Sequence, residues 1–424
     1  MPNWVEHIVE EHKEFESPLS FWRWAALAAI SAVVKDNVWI DRQLYNLYPN
    51  IYVMYHAESG LKKGPAVALA KRLVKEVNNT RIISGRSSIQ GILKELGTAY
   101  TQPGGKVIKG SVAFICSSEL SSSIVEDKVA TTILTDLYDR QYNIGEWRSL
   151  LKMESFDLQN PCITMLTATN EAHSDSFFVR KDIKGGYFAR TFIIYENQEN
   201  RSNSLLVPLE HPIDYKRDAE YLKKVAELHG PFRPLAARAP TDECIHEYKD
   251  RATGIVAYYS PAGLVYQHWY DEFKIALKTA KDPTGTLNRF GDSVLKVAML
   301  LSLANNLDLM IHEEVMVQAI EVCEKLIGNV RRATIGKTEE EASSAVRKTL
   351  LLTELMQREN HMISFAQLNR KFWIQGGAVE WQECVASFVE AGIVVLEQMG
   401  NQQVVKMTPS AVEEYTAFFK GKMK

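Results

Sequence analysis

The feature that most constrains the fold lies between Pro49 and Val77, where PNIYVMYH, AESGLKKG and PAVALAKRLVKEV follow one another without interruption. The first is a compact apolar, β-rich run. The second holds glycines that supply a turn, and in the third Ala66, Leu69, Leu73 and Val74 recur at helical spacing. Strand, loop and helix in immediate succession open an α/β unit and set the loop at a helix N-terminus, where phosphate binds well. Three later apolar runs repeat the punctuation. SVAFIC (Ser111 to Cys116) ends at Ser117, Ser118 and Glu119, CITMLTAT (Cys162 to Thr169) ends at Asn170, and YFARTFIIY (Tyr187 to Tyr195) carries Arg190. Helical stretches, such as 88–96 and 124–137, alternate with them, which predicts an α/β sheet with helices on its faces. In open α/β sheets ligands gather outside the carboxyl ends of the strands. Glu119 and Asn170 fall at such ends, with the SVAFIC strand expected to neighbour the first.

Ahead of this core, Ser17 and Pro18 start a helix over LSFWRWAALAAISAVV that is apolar nearly all round, so Trp22 and Trp24, with Trp4 ahead of them, read as core or interface. Its longest apolar stretch, Phe21 to Val34, is about 14 residues, too short to span a bilayer. Behind the core, the proline-rich run from Ser204 to Thr241 reads as a connection, and 242–333 as an all-helical domain. A charged linker over 335–344 precedes three helical patterns and two β-rich runs, GIVVLEQ and QQVVKMT, joined by a turn at Met399, Gly400 and Asn401. Three helices and a terminal hairpin is the order of a winged helix. The expected division is therefore a helical segment over 1–45, a nucleotide-binding core over 46–205, a linker and helical lid over 206–335, and a winged helix over 345–424.

A Walker A loop, GxxxxGK[ST], uses glycines so that backbone N–H groups wrap phosphates, a lysine to reach the β- and γ-phosphates, and a hydroxyl for Mg²⁺. Aligned on it, Ala57 and Lys62 replace the two glycines, Lys63 is the motif lysine, and Gly64 stands in the hydroxyl position, with Ser59 and Gly60 inside the loop. The ordinary reading of the same residues is a βα turn with two solvated lysines. Glu119 suits the carboxylate that polarises an attacking water, and Ser118 takes the place of the acid that holds Mg²⁺ through water. Asn170 suits a polar sensor of the γ-phosphate. Arg190, beside Gly185 and Gly186, suits an arginine supplied to a neighbouring subunit, and Arg289, at the start of a long helix, a second arginine reaching the same nucleotide. Each alone has a blander reading as a helix-start acid, a turn residue or a surface ion pair, and their order favours the sharper one.

SPLSFWRWAALAAIS, LYPNIYVMYHAESGLKKGPAVALAKRL, FICSSELSSSI, LTDLYDRQYNIGEWRS, NPCITMLTATNEAHSDSFF and DIKGGYFARTFIIYE together resemble a family of phage and mobile-element P-loop proteins described as replicative helicases or helicase-primase parts. The resemblance covers roughly residues 15 to 200 well and the following helical region loosely. With its winged helix the chain is also similar to ring helicases of the AAA+ class. The resemblance implies ATP and Mg²⁺ as cofactors, phosphate on Lys63, water activation by Glu119, sensing by Asn170 and Arg289, and Arg190 as a finger in trans. It implies a homo-oligomeric ring, of hexameric type, that moves on single-stranded DNA in the host cytoplasm, beside partner replication proteins.

Composition limits how such a protein holds DNA. The formal charge is −3, so contacts with a polyanion must come from local basic loops. Lys106, Lys109, Arg148 and Lys152 flank core strands where a ring motor would track a phosphate backbone, although solvated loop charge is the plainer reading of each. The 345–424 segment counts nine Lys or Arg against eight Asp or Glu, a net of +1, so Asn369, Arg370, Lys371 and Trp373 form a contact patch on a module that serves protein docking equally well. Five cysteines without CxxC spacing fit a reducing compartment and no metal site. Two other functions fit the same residues: a catalytically degenerate P-loop scaffold or helicase loader, and a DNA-binding regulator acting through the winged helix.

Overall fold

The computed structural model describes residues 3–421 apart from 86, 98–99, 102–106, 109, 119–127, 140–145, 151–154, 170–185, 202–212, 250–253, 279–284, 335–336, 373–376 and 401. The protein is an α/β chain built on a five-stranded, all-parallel sheet. Its strands are β1 (Tyr52–His56), β2 (Arg81–Ser84), β3 (Val112–Ser117), β4 (Cys162–Thr169) and β5 (Thr191–Tyr195), in the spatial order β5-β1-β4-β3-β2. Every residue of β1 and β4 is buried, as a parallel sheet covered on both faces requires. The strand beside β1 is therefore β4, and β3 lies one place further out, contrary to the expected pairing of β1 with β3. The long apolar run CITMLTAT takes the centre of the sheet, where burial is greatest. Register sets His56 opposite both Thr169 and Tyr195, so β1, β4 and β5 end flush at one edge.

Helix α1 (Trp4–His12) buries Trp4, Val5, Ile8 and Val9, and α2 (Leu19–Val34) is buried nearly all round, as its composition predicts for a core helix. Two side-chain bonds lock α2 to the sheet. The Tyr55 hydroxyl donates to the Phe21 carbonyl at 2.6 Å, and the Ser31 and Thr164 hydroxyls bond at 2.6 Å. Helix α3 (Lys63–Val77) starts at the carboxyl end of β1, packs on α2 and buries Ala66, Leu69, Ala70, Leu73 and Val74. Helices α4 (Ile89–Gly97) and α5 (Lys128–Tyr138) follow β2 and β3.

Three expectations about the rest of the chain change. The proline-rich connection contains a helix, α6 (Tyr215–Glu227), that packs on α2 and α3. Its prolines all fall outside the helical stretch, and the Asp214 carboxylate accepts from the Lys216 and Arg217 N–H groups to cap it. The segment after it is not all helical, because His246–Lys249 and Val256–Tyr259 pair antiparallel with each other before α7 (Pro261–Leu277), α8 (Thr286–Asn305) and α9 (Glu313–Thr334). From Lys337 on, the charged linker is helical as well, within α10 (Lys337–Gln357), since Glu, Ala, Lys and Arg are good helix formers whether or not they bury anything.

By contact the chain forms two compact units, residues 1–273 with 282–329, and residues 274–281 with 330–424. The N-terminal helices belong to the first unit because α2 is part of its core. The second unit carries α10, β6 (Met362–Ser364), α11 (Phe365–Phe372), α12 (Ala378–Glu390), the hairpin β7 (Val394–Met399) and β8 (Gln402–Met407), and α13 (Pro409–Gly421). The hairpin turns where the sequence places it, with Gly400 at φ 60°. β6 joins it as a third antiparallel strand, and Leu351, Leu355, Trp381, Val385 and Val405 centre a core of their own. All five cysteines are free and buried, and among the described residues no helix is long and apolar enough to cross a membrane.

Candidate functional site

The loop between β1 and α3 holds two residues at positive φ. Gly60 has φ +104°, and Lys62, which stands where the pattern has glycine, adopts the left-handed region at φ 45°. A lysine held there costs on the order of 1 kcal/mol, and its neighbours secure it. The Ser17 hydroxyl donates to the Lys62 carbonyl at 2.7 Å, and the Lys62 ammonium lies 3.5 Å from the Glu16 carboxylate. Lys63 opens α3 and folds back, its Nζ donating to the carbonyls of Ala57 and Glu58 at 2.7 Å each. The ammonium thus sits over the loop's own backbone, and Ser59 and Gly60 form the outer bend.

Gly64 and Ser118 come together across the carboxyl edge. A Cβ on Gly64 would stand 3.9 Å from the Ser118 Cβ, in ordinary contact. The two positions that the Walker alignment sets against Mg²⁺ ligands are therefore neighbours in space, one without a side chain and the other with a hydroxyl. Glu119 and Asn170, which follow Ser118 and Thr169, lie outside the described residues, as do Lys106, Lys109 and Lys152. Arg148 is described, and it is spoken for: on the antiparallel pair 146–150 and 155–159 its Nε donates to the Asp157 carboxylate at 2.9 Å. That ion pair is exposed and adds at most about 1 kcal/mol.

Arg190 and Arg289 occupy the opposite edge. Arg190 precedes β5 at the amino end of the sheet, separated from the Lys63 loop by the strand length, about 16 Å for five residues. Both its Nε, at 2.9 Å, and its Nη2 donate to the Asp139 carboxylate, and its Nη1 donates to the Gly186 carbonyl at 2.7 Å. Any side chain on Gly186 would collide with this guanidinium, which explains the glycine just ahead of the YFAR run.

Arg289, in the first turn of α8, points its Nη1 at the same Asp139 oxygen, 3.4 Å away. Its neighbour Phe290 turns the other way and is buried against the Phe273 and Trp269 rings, which fixes the face that α8 presents to Asp139. Arg190 is 7% exposed, so the arginine expected to reach a neighbouring subunit is a buried one paired inside its own chain. Arg289 joins it at Asp139 instead of reaching the loop of Lys63.

Sequence reasoning missed the residues around this pair. Lys296 of α8 is fully buried, donating its Nζ to the Asn50 carbonyl at 2.9 Å and to Asn50 Oδ1 at 2.7 Å, 4.0 Å from the centre of the Tyr138 ring. A lysine inside the apolar run VLKVAMLL was the available signal. Tyr138, Asp139, Arg190, Arg289, Asp292 and Lys296 line one cleft. Burial pushes the Lys296 amine down to about 7, against the opposing pull of Asp139. The unfolded chain holds this proton up to its ordinary value of 10.5, so between about pH 7 and 10 the unfolded state binds more protons and stability rises with pH. Below about pH 7 both states are protonated and the penalty is present in full. Lys296→Met is expected to flatten the rise, read from urea midpoints across that range.

No family model matches this chain, and no curated protein matches it.

Proposed function

We propose that the chain is an ATP-driven ring motor, a P-loop ATPase that moves on DNA during replication of a phage or mobile element. The observation that carries this reading is the loop at the carboxyl end of β1, with the Lys63 ammonium folded onto loop carbonyls and Gly64 facing Ser118 at the end of β3. A phosphate chain entering there would meet the α3 N-terminus and take Lys63 from those carbonyls. Glu119 would activate water and Asn170 would sense the γ-phosphate, since each follows a strand that ends on that edge. Ser118 would contribute the hydroxyl that Gly64 lacks for Mg²⁺.

The ring rests on the resemblance and not on Arg190, which is buried and paired with Asp139 inside its own chain. The helix, strand, helix, helix and hairpin order of residues 345–424 supports a winged helix. Within it, burial would raise the Glu354 carboxyl, but Lys371 at 2.7 Å and Arg358 at 2.9 Å hold it below its ordinary value. Lys371 stays about half exposed in this pair. Trp373 lies outside the described residues.

Gly64 and Ser118 also favour a second reading, a scaffold or loader that binds nucleotide without turning it over. Purified protein assayed for ATP hydrolysis with and without single-stranded DNA separates the two. DNA-stimulated hydrolysis is expected; binding of an ATP analogue without hydrolysis would select the scaffold, and absence of both would remove the nucleotide site.

A further inference from the structure

On α1, His7 and Glu11 are four residues apart and share one face of the helix. Asp218, in the first turn of α6, meets them there. Its side chain is fully buried, and the Trp4 indole N–H donates to its backbone carbonyl at 3.2 Å. We propose that His7, Glu11 and Asp218 bind a divalent transition-metal ion of the zinc class, which ties α1 to α6. The site is separate from the nucleotide loop and does not depend on that reading.

Three observations carry it. The ligand atoms of the three residues all lie within 4.8 Å of one another, with His7 Nε2 3.3 Å from Asp218 Oδ1 and 3.4 Å from Glu11 Oε1. Ligands at zinc distances on a tetrahedron stand about 3.4 Å apart, so these atoms need little movement. Two further oxygens, Asp218 Oδ2 and Glu11 Oε2, are buried without a hydrogen-bond partner, a state costly for carboxylates and relieved by a cation. Finally, the guanidinium beside the cluster serves it poorly. Arg217 Nη2 contacts Glu11 Oε1, His7 Nε2 at 3.2 Å and Asp218 Oδ1 at 3.2 Å. His7 Nε2 cannot serve both neighbours: as an acceptor it takes the Arg217 N–H but turns its lone pair to the Asp218 carboxylate, and as an N–H donor it serves Asp218 but faces the guanidinium. A metal ion resolves the conflict by taking the lone pair and both carboxylates, and Arg217, half exposed, can turn to solvent. One imidazole and two carboxylates suit zinc and its first-row neighbours, with a position left for water.

The test is a titration of untagged, nucleotide-free full chain with Co²⁺, followed by its visible absorption, and with Zn²⁺ by calorimetry. One equivalent is expected to bind in the micromolar range or tighter, with a rise in Tm. His7→Gln, at a partly exposed side chain, is expected to keep the fold and weaken binding by more than about tenfold, the lower bound for even an outer-sphere partner. The isosteric Asp218→Asn should weaken it as much. No binding to the folded protein, or undiminished binding in His7→Gln, overturns the proposal.

Discussion

Lys63→Ala is expected to lower DNA-stimulated ATP hydrolysis by at least about a hundredfold, the loss that follows removal of one preorganised charge-stabilising donor. Its Nζ is the donor that the β1 to α3 loop places over its own carbonyls, 2.7 Å from those of Ala57 and Glu58. Those bonds are partly exposed, so their loss should cost about 1 kcal/mol or less of stability. Activity and fold therefore separate in one variant: steady-state hydrolysis should collapse while the thermal midpoint moves little. Lys63→Arg retains the charge without the compact ammonium and should recover only part of the rate. Hydrolysis undiminished in Lys63→Ala would take the site away from this loop.

Asp139→Ala should be the most destabilising single change at the amino edge of the sheet, by about 3 to 5 kcal/mol, because it strands a buried arginine. Arg190 directs both Nε and Nη2 at Asp139, and Arg289 shares the carboxylate. Replacing both partners, as in Asp139→Leu with Arg190→Met, should recover most of the loss, since an apolar pair leaves no uncompensated charge. Urea unfolding of the two variants reads the difference. A loss below about 1 kcal/mol in Asp139→Ala would mean that Arg190 is not held structurally and is free to act elsewhere.

Much of the fold was legible locally. PNIYVMYH and CITMLTAT read as buried strands because both faces of a parallel sheet are covered, so their residues are apolar without alternation. The all-round apolar α2 and the hairpin at Gly400 were equally direct. Helix α6 was hidden by prolines that flank it without entering it, and the start of α10, 337–344, by a low apolar content that says nothing of helix propensity.

The sequence by itself determined where strands, the glycine loop and most helices fall, because those follow from periodicity and turn chemistry within a few residues. Only the tertiary structure decided which elements became neighbours. β4 rather than β3 lies beside β1, Asp139 collects arginines 51 and 150 positions away, and Asp218 meets His7 across 211. Parallel strands are joined by crossovers that leave no local mark of their order. A buried charge finds its partner through packing, which no spacing along the chain records.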